Sequence, residues 1–311
     1  MKKVFLDGSA GTTGLRIRER LEKRADIELI SLPEELRKDI SARKSAINSA
    51  DFVFLCLPDS AAAEAAELCE NDTTVIIDAS TAHRTADGWT YGFPELKGQR
   101  EKLVASKRIA NPGCHASGFI ALVAPLSDKG IIKADFQLSC FSVTGYSGGG
   151  KKMIADYEPI KDNLLRAPRQ YGLTQNHKHL PEMAKLCGLK KPPVFSPIVA
   201  PFYAGMEVCV PVSPIELGVS KAEIAEIYKD YYKGGLVAYA ENPDEDGFLS
   251  AAALTGRDDM ELSVIGNDER AVLVARFDNL GKGASGAAVQ NMNLLMGIDE
   301  KTGLNTKGTA K

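Results

Sequence analysis

Residues 3–14 read Lys3-Val4-Phe5-Leu6-Asp7-Gly8-Ser9-Ala10-Gly11-Thr12-Thr13-Gly14, and this stretch decides the fold. Lys3 to Asp7 is a short apolar run of the kind that makes a buried strand. It breaks at Gly8. A helical stretch follows, with Leu15, Ile17 and Leu21 inward and Arg16, Arg18, Glu19 and Arg20 outward. A glycine-rich turn between a first strand and a first helix brings backbone N–H groups against a pyrophosphate. The spacing is G-x-x-G-x-x-G, not the common G-x-G-x-x-G. Position carries the reading: the turn follows the first strand and opens the first helix. Gly8, Ser9, Gly11, Thr12, Thr13 and Gly14 are therefore candidate cofactor-binding residues. A tight turn with no ligand is the competing reading.

The alternation continues outward from there. Ile27 to Ile30, Asp51 to Leu57 and Thr74 to Asp78 read as further strands, with an alanine-rich helix from Ser60 to Leu68. Strands alternating with helices imply a doubly wound parallel α/β sheet of Rossmann type. Ligands bind outside the carboxyl ends of such strands. That edge carries Ser31, Leu57-Pro58 and Asp78-Ala79-Ser80-Thr81, which adds Ser31, Pro58 and Ser80 to the cofactor candidates. An NAD site usually places Asp or Glu at the end of the second strand. Here stand Ser31 and, shortly after, Arg37 and Lys38, a set that suits a 2′-phosphate and favours NADP. Glu34 and Glu35 leave NAD open.

Length and composition limit the rest. The chain has 311 residues, more than the roughly 100–200 of one domain, so two domains are expected. Hydrophobic residues are 44% and charged residues 25%, as in globular proteins generally. A net charge of -3 gives no sign of a nucleic-acid or anionic-membrane surface. No apolar run approaches the roughly 18 residues of a membrane span, and Val4-Phe5-Leu6 is too short for a signal-peptide core. A cytoplasmic location is the expectation. The six cysteines form no C-x-x-C and read as reduced thiols, several of them in apolar strand-like runs.

Cys114 is different. It lies in Asn111-Pro112-Gly113-Cys114-His115-Ala116-Ser117-Gly118, where Pro112 and Gly113 break the chain and an apolar helical run follows. A helix start lowers a thiol's pKa and offers N–H groups to an oxyanion. A buried structural cysteine is the alternative.

Past Ser127 the periodicity changes. Strands are expected at Asp135–Thr144, Val194–Val199, Met206–Val212, Glu261–Ile265 and Ala271–Phe277, with a helix at Lys221–Tyr231. Few helices intervene, which suggests a largely antiparallel α+β domain. The loop Gly145 to Lys152 either holds an anionic group through Lys151 and Lys152 or merely joins a strand to a helix. In Asn176-His177-Lys178-His179-Leu180-Pro181-Glu182, Pro181 disfavours helical geometry at the preceding residue. If the chain is extended there, His177 and His179 share a face. They suit acid–base work. Zinc would need further ligands at recognisable spacing, so no metal is expected. Asp278-Asn279-Leu280-Gly281-Lys282-Gly283-Ala284-Ser285-Gly286 opens a last helix, with Val289, Met292, Leu295 and Met296 on one face, packed back on the first domain. Asn279 and Gly283 join the cofactor candidates. The tail after Asp299 is expected to fray. The division expected is 1–115 with 280–311 for the nucleotide-binding domain, and 116–279 for an inserted catalytic and oligomerisation domain.

Taken in order, the glycine-rich turn, Asn111-Pro112-Gly113-Cys114, His177-Lys178-His179-Leu180-Pro181-Glu182 and Asp278 to Gly286 span nearly the whole chain. The set resembles the N-acetyl-gamma-glutamyl-phosphate reductase family, in the shorter of its two types. It is similar more distantly to aspartate-semialdehyde dehydrogenase. The resemblance implies a Rossmann domain with an inserted α+β domain, assembled as a homodimer or homotetramer, in arginine biosynthesis. It implies that Cys114 forms a thioester with an acyl-phosphate substrate, which NADPH then reduces to the semialdehyde. It assigns proton shuttling to a histidine, His179 being favoured, with His177 as a substrate or phosphate contact. Asn111, Arg84, Lys151 and Lys152 are the remaining substrate-binding candidates. Three other readings stay open: aspartate-semialdehyde dehydrogenase, a non-catalytic NADP-binding regulatory protein, and a cysteine hydrolase.

Overall fold

The structure is a computed structural model that describes residues 1–9, 11–158 and 162–307. Ala10 therefore lies outside the described residues. The chain divides into two compact units. The first holds Met1–Pro94, Gly98–Pro112 and Ala284–Leu304; the second holds Glu95–Lys97, Gly113–Gly283 and the segment from Asn305.

The first unit contains β1 (Lys2–Asp7), α1 (Thr12–Leu21), β2 (Ile27–Ile30), α2 (Ile40–Ser49), β3 (Phe52–Leu55), α3 (Asp59–Glu67), β4 (Val75–Asp78), β5 (Thr90–Tyr91), α4 (Gln99–Val104) and β6 (Arg108–Ala110). Its sheet has six strands in the order β2-β1-β3-β4-β6-β5, and every pairing is parallel. Strands this apolar are expected where both faces are covered. Phe5, Val53, Leu55 and Ile76 pack with Ala46 and Ile47 of α2 and Ala62 and Ala65 of α3. Alternation puts Val4, Leu6, Phe54 and Ile77 on the other face, also buried. The strand order reverses between β1 and β3, which opens a crevice at their carboxyl ends.

The second unit contains α5 (Cys114–Asp128), β7 (Ser139–Gly145), α6 (Gly150–Tyr157), β8 (Arg169–Gln170), α7 (Leu180–Leu186), β9 (Val194–Ala200), β10 (Met206–Val212), α8 (Pro214–Leu217), α9 (Lys221–Tyr231), β11 (Val237–Tyr239), β12 (Met260–Gly266) and β13 (Ala271–Phe277). The final helix, α10 (Gly286–Leu295), belongs to the first unit. The second sheet has seven strands in the order β11-β12-β13-β10-β7-β9-β8. It is mixed: β11 with β12 and β7 with β9 are parallel, the other neighbours antiparallel. α5 is buried on nearly every side and packs on β10, β13, α7 and α9.

Several expectations shift. The first long strand of the second unit begins at Ser139, not Asp135. The division falls after Pro112 and after Gly283, so Cys114 and His115 join the second unit, where α5 packs on β10, β13, α7 and α9. Leu15 is 41% exposed rather than inward. α10 is not amphipathic in burial. Its polar residues are buried too, with Asn291 bonded to the Gly92 carbonyl, Gln290 to Glu300, and Asn293 to the carbonyls of Glu300 and Thr302. The chain after Asp299 is tied down as far as Thr306: Glu300 pairs with Arg100, and Leu304 and Thr306 are buried.

Pro125 stands inside α5. It lacks the N–H that would bond the Ala121 carbonyl one turn back. The Tyr232 hydroxyl donates to that carbonyl at 2.8 Å, and Tyr228 donates to the next one, Leu122, at 2.6 Å. The helix defect is therefore repaired from α9 and the chain just beyond it. Tyr232→Phe is expected to destabilise the protein by about 1–3 kcal/mol, since it leaves a buried carbonyl unpaired. Combined with Pro125→Ala, which restores the helical donor, the same change should cost well under about 1 kcal/mol. Unfolding measurements around this double-mutant cycle check the coupling.

Candidate functional site

In the first unit, β1 turns at Gly8 into α1. Gly8 has φ of 86°, and a Cβ there would lie 2.4 Å from the Cys56 carbonyl oxygen. A Cβ on Gly14 would lie 2.7 Å from the Gly8 oxygen. Only glycine permits both, and the result is a flat cradle at the end of β1. Gly11 is the N-cap of α1, and no side chain caps that end. The Thr12 hydroxyl oxygen is shielded from solvent and has no hydrogen-bond partner. An uncapped helix start beside an orphaned hydroxyl fits a phosphate group.

A cleft opens beside the cradle. Gly8, Ser9, Ser31, Arg37 and Arg18 line it, with apolar walls from Leu29, Ile30 and Leu57. Arg18 reads as an outward helix residue in the sequence; its place in the cleft comes from the approach of α1 to the end of β2. Among the described residues Asp7 is the one carboxylate lining the cleft, and it is held by Arg43 at 2.7 Å. Thr13 is half-buried in the first turn of α1, and Pro58 is the exposed N-cap of α3. Ser80 is turned inward. Its hydroxyl donates to Asp78 at 2.7 Å, and His83, stacked on Trp89, holds the same carboxylate at 2.6 Å.

Asn111 and Arg84 are braces in this unit. Asn111 is 1% exposed. Its N–H donates to the Asp78 carbonyl, its amide donates to the Ala284 carbonyl, and its own carbonyl accepts from Arg84 Nε at 3.0 Å. Arg84 also reaches the Ala79 carbonyl at 3.3 Å. Both residues therefore fix the turn at the end of β6.

The second unit holds the thiol. Gly113 is the N-cap of α5, and half-buried Cys114 is its first residue. The Gly113 N–H donates to Glu182 Oε2 at 3.1 Å, and Glu182 is 1% exposed. Glu182 lies in the first turn of α7, so one hydrogen bond joins the starts of the two helices. His179 is the N-cap of α7, with helical φ and ψ of -87° and -13°. The extended path through His177 and His179 is not what the chain takes: a turn closes between Leu180 N–H and the His177 carbonyl, and the helix begins at Leu180 despite Pro181. The two rings still meet, with centroids 4.7 Å apart. The His179 N–H donates to His177 Nδ1 at 3.2 Å. Neutral His177 therefore carries its proton on Nε2.

Three further residues complete the cluster. The His115 ring is 5.6 Å from His177 and 5.5 Å from His179. Its Nδ1 is 2.6 Å from Ser142 Oγ and its Nε2 2.6 Å from the Tyr171 hydroxyl. Burial, with a smaller contribution from His177, holds the His115 imidazole down to about 3. Sequence periodicity could not show this trio, because its members come from α5, β7 and the segment after β8. Gly283 packs beside the thiol: a Cβ there would lie 3.0 Å from the Cys114 Cβ. Asn279 is buried, donating to Ser147 Oγ and accepting from the Gly205 N–H. Lys151 and Lys152 are exposed at the start of α6, after a single 3₁₀ turn that joins the strand to the helix. Burial pushes other thiols away from reactivity, Cys56 up to about 12 with help from Asp78 and Asp7.

Two family models match the chain. The semialdehyde dehydrogenase NAD binding domain covers residues 3–104, and the semialdehyde dehydrogenase dimerisation domain covers 114–279. Proteins named N-acetyl-gamma-glutamyl-phosphate reductase are similar over nearly their whole length. One from Nostoc is 46% identical, covering 97% of this chain and 99% of its own. One from Mesorhizobium japonicum is 44% identical, covering 95% and 99%. Among solved structures, aspartate semialdehyde dehydrogenase II from Vibrio cholerae superposes with a TM-score of 0.70 at 16% identity, covering 95% of this chain and 98% of that one. Aspartate semialdehyde dehydrogenase with NADP from Candida albicans gives 0.67 at 14%, covering 96% and 99%. At such identity these two share the fold. The chain belongs to the semialdehyde dehydrogenase family and, within it, to the N-acetyl-gamma-glutamyl-phosphate reductases.

Proposed function

We propose that the protein reduces N-acetyl-L-glutamyl 5-phosphate to N-acetyl-L-glutamate 5-semialdehyde in arginine biosynthesis, through a thioester on Cys114. The observation that carries this is the thiol at the first residue of α5, with the His177–His179 turn joined to that helix start through Glu182. Cys114 attacks the acyl carbon, the acyl–phosphate bond breaks and phosphate leaves. The first-turn N–H groups of α5 stabilise the oxyanion. A nicotinamide held by the first unit supplies hydride when bound. His179 is the acid–base group, because His177 Nδ1 is occupied by a backbone N–H. His177 then presents Nε2–H, a donor suited to a substrate or phosphate oxygen. Cys114 regains its free thiolate when the aldehyde departs.

The cradle at Gly8, Gly11 and Gly14 with Thr12 would hold the pyrophosphate, and Ser31, Arg37 and Arg18 the adenosine end. Two guanidiniums there, and no acidic residue from the end of β2 among the described lining residues, support NADP over NAD. Lys151 and Lys152 remain candidates for drawing in an anionic substrate. Self-association as a homodimer or homotetramer is supported by the dimerisation-domain match and by the open sheet face of the second unit, where Phe141, Val194, Ile198, Ile265 and Val272 are exposed or half-buried. Cysteines free of disulfides support a cytoplasmic location. No described helix is long and apolar enough to cross a membrane.

Phosphate-dependent reduction of NADP is expected with N-acetylglutamate semialdehyde and not with aspartate semialdehyde; the reverse preference would overturn the substrate reading. Cys114→Ser should lower kcat by at least about 10³-fold while leaving nucleotide affinity, read by fluorescence titration, unchanged. Arg37→Glu, or Arg18 and Arg37 both changed to Ala, should raise KM for NADPH about tenfold or more. KM for NADH should hardly move, and an equal rise for both coenzymes would return the choice to NAD.

A further inference from the structure

Gln175 has no part in the mechanism above. Yet it is one of two residues other than glycine with a left-handed backbone among those described, at φ of 57°. We propose that Gln175 is a positioning residue for the imidazole pair: its carboxamide stands in for a missing length of strand and locks the turn that carries His177 and His179. The proposal deepens the thioester reading and rests on it for the reaction concerned.

β8 is too short to cover the edge of β9. Its two residues, Arg169 and Gln170, pair with Val199 and Ile198. One more ladder bond follows, from the Tyr171 N–H to the Pro197 carbonyl at 3.0 Å. The chain then leaves the edge at Gly172, which has φ of 63°. Alternate residues of a strand point their N–H and C=O to the same side, so after Val199 and Pro197 the next such pair on β9 belongs to Phe195. Gln175 takes both groups. Its Nε2 donates to the Phe195 carbonyl at 2.7 Å, and its Oε1 accepts from the Phe195 N–H at 2.8 Å. A carboxamide carries the same donor and acceptor as a peptide group, so the side chain continues the ladder where the backbone has left it.

The backbone conformation shows that the side chain is needed. Left-handed geometry costs energy for a residue with a Cβ and little for glycine. At position 172 the chain uses glycine. At position 175 it does not, although the Gln175 N–H closes a turn onto the Gly172 carbonyl at 3.0 Å. Glycine would make that turn at less cost and would leave the Phe195 edge bare. A residue held in a disfavoured region persists where its surroundings over-determine it, and such an outlier points to function. Here the two bonds to Phe195 hold it.

The lock seats His177, two residues further on. The His177 ring lies 5.1 Å from that of Phe195, edge-on at 72°. A Cβ on Gly172 would lie 3.7 Å from the His177 Cδ2. Phe195 is itself 1% exposed, and its ring also meets His115 at 5.3 Å. The imidazole thus sits between the point where the chain leaves β9 and the point where Gln175 returns to it. From there the His179 N–H donates to His177 Nδ1 at 3.2 Å, and the Leu180 N–H to the His177 carbonyl at 3.0 Å. Gln175 fixes one end of this turn and the Glu182–Gly113 bond the other. Released at the Gln175 end, the turn pivots about the start of α7. Misplacing a catalytic group by about 1 Å costs up to about 10²-fold in rate.

The test is Gln175→Gly, which keeps the left-handed turn and removes the carboxamide. Gln175→Asn is the second variant, one methylene shorter. Hydrogen exchange at the His179 and Leu180 amides, followed by NMR with neither substrate nor nucleotide present, should quicken about tenfold in both. In turnover, Gln175→Gly should lower kcat about tenfold and raise KM for the acyl phosphate about threefold or more, with KM for NADPH unchanged. A merely structural loss shrinks the fraction of active protein, which lowers kcat and leaves every KM as it was. Exchange at the native rate in both variants overturns the lock. Faster exchange with native kcat and KM overturns the positioning role, and so does a fall in kcat with both KM values native. Should Gln175→Gly fail to fold, Gln175→Asn decides by the same criteria. If the native protein does not turn over the acyl phosphate, the reductase reading fails, and the exchange rates still decide whether Gln175 locks the turn.

Discussion

The hydrogen bond from Gly113 N–H to the Glu182 carboxylate fixes the geometry of the proposed site in the second unit. It spans two segments far apart in sequence and fixes the start of α5 against the start of α7. A carboxylate is stabilised at a helix start, where N–H groups lack intrahelical partners. Buried at 1% exposure, it would be costly anywhere else. Because His179 caps α7 and Glu182 lies in its first turn, anchoring Glu182 also sets where the imidazoles stand. Thiol and histidines then share one local frame, and a shift of either helix would move both.

The surrounding polar residues solve a related problem. A catalytic turn is irregular backbone, and buried irregular backbone leaves N–H and C=O groups without regular partners. Asn111 meets this in the first unit by bonding the Asp78 and Ala284 carbonyls, while Arg84 bonds the Asn111 and Ala79 carbonyls. Asn279 does the same in the second unit, tying Gly205 to the turn at Ser147. Tyr228 and Tyr232 play this part for the helix that Pro125 interrupts. Such residues have the chemical look of ligand contacts. Each also holds the fold in place, Asn111 and Arg84 at backbone carbonyls and Asn279 at the Gly205 N–H and the Ser147 hydroxyl.

This explains what was legible in the sequence. Regular elements with clear periodicity emerge at their observed limits: β2, β10, β13 and α9. For α9 the reason is local, since Ser220 and Glu223 cap its start reciprocally. The nucleotide turn and the Cys114 helix start are local as well. The cluster around the thiol is not. His115 reaches Ser142 and Tyr171 only once β7 and the segment after β8 lie beside α5. The path at His177–His179 stays open in the sequence because Pro181 disfavours, but does not forbid, a helical residue before it; the bonds to Gly113 and within the turn outweigh that preference. The buried polar face of α10 was misread for another reason. Periodicity records which side is apolar, not whether the polar side finds protein partners instead of water.

The cysteines show how far backbone position outweighs residue type. Cys140 and Cys187 are buried, and removal from water penalises the charged thiolate, so burial pushes both thiols up. Burial pushes the Cys209 thiol up as well, and the Glu207 carboxylate that it faces at 3.1 Å adds to this. Cys56 is the instructive case. It follows β3 on the edge of the first unit that is shaped for a phosphate, a place where anions would be expected to be welcome. Yet Asp7 and Asp78 stand close by, each already bonded, to Arg43 and to Ser80 with His83. Their charges add to burial and keep that thiol protonated at about 12. An edge that attracts an anionic ligand through its N–H groups can therefore hold a neighbouring thiol inert through its carboxylates. Cys114 differs in being half-exposed at a helix start, among hydrogen-bond donors and imidazoles. In the proposed reaction, nucleophilicity is a property of that address, not of cysteine.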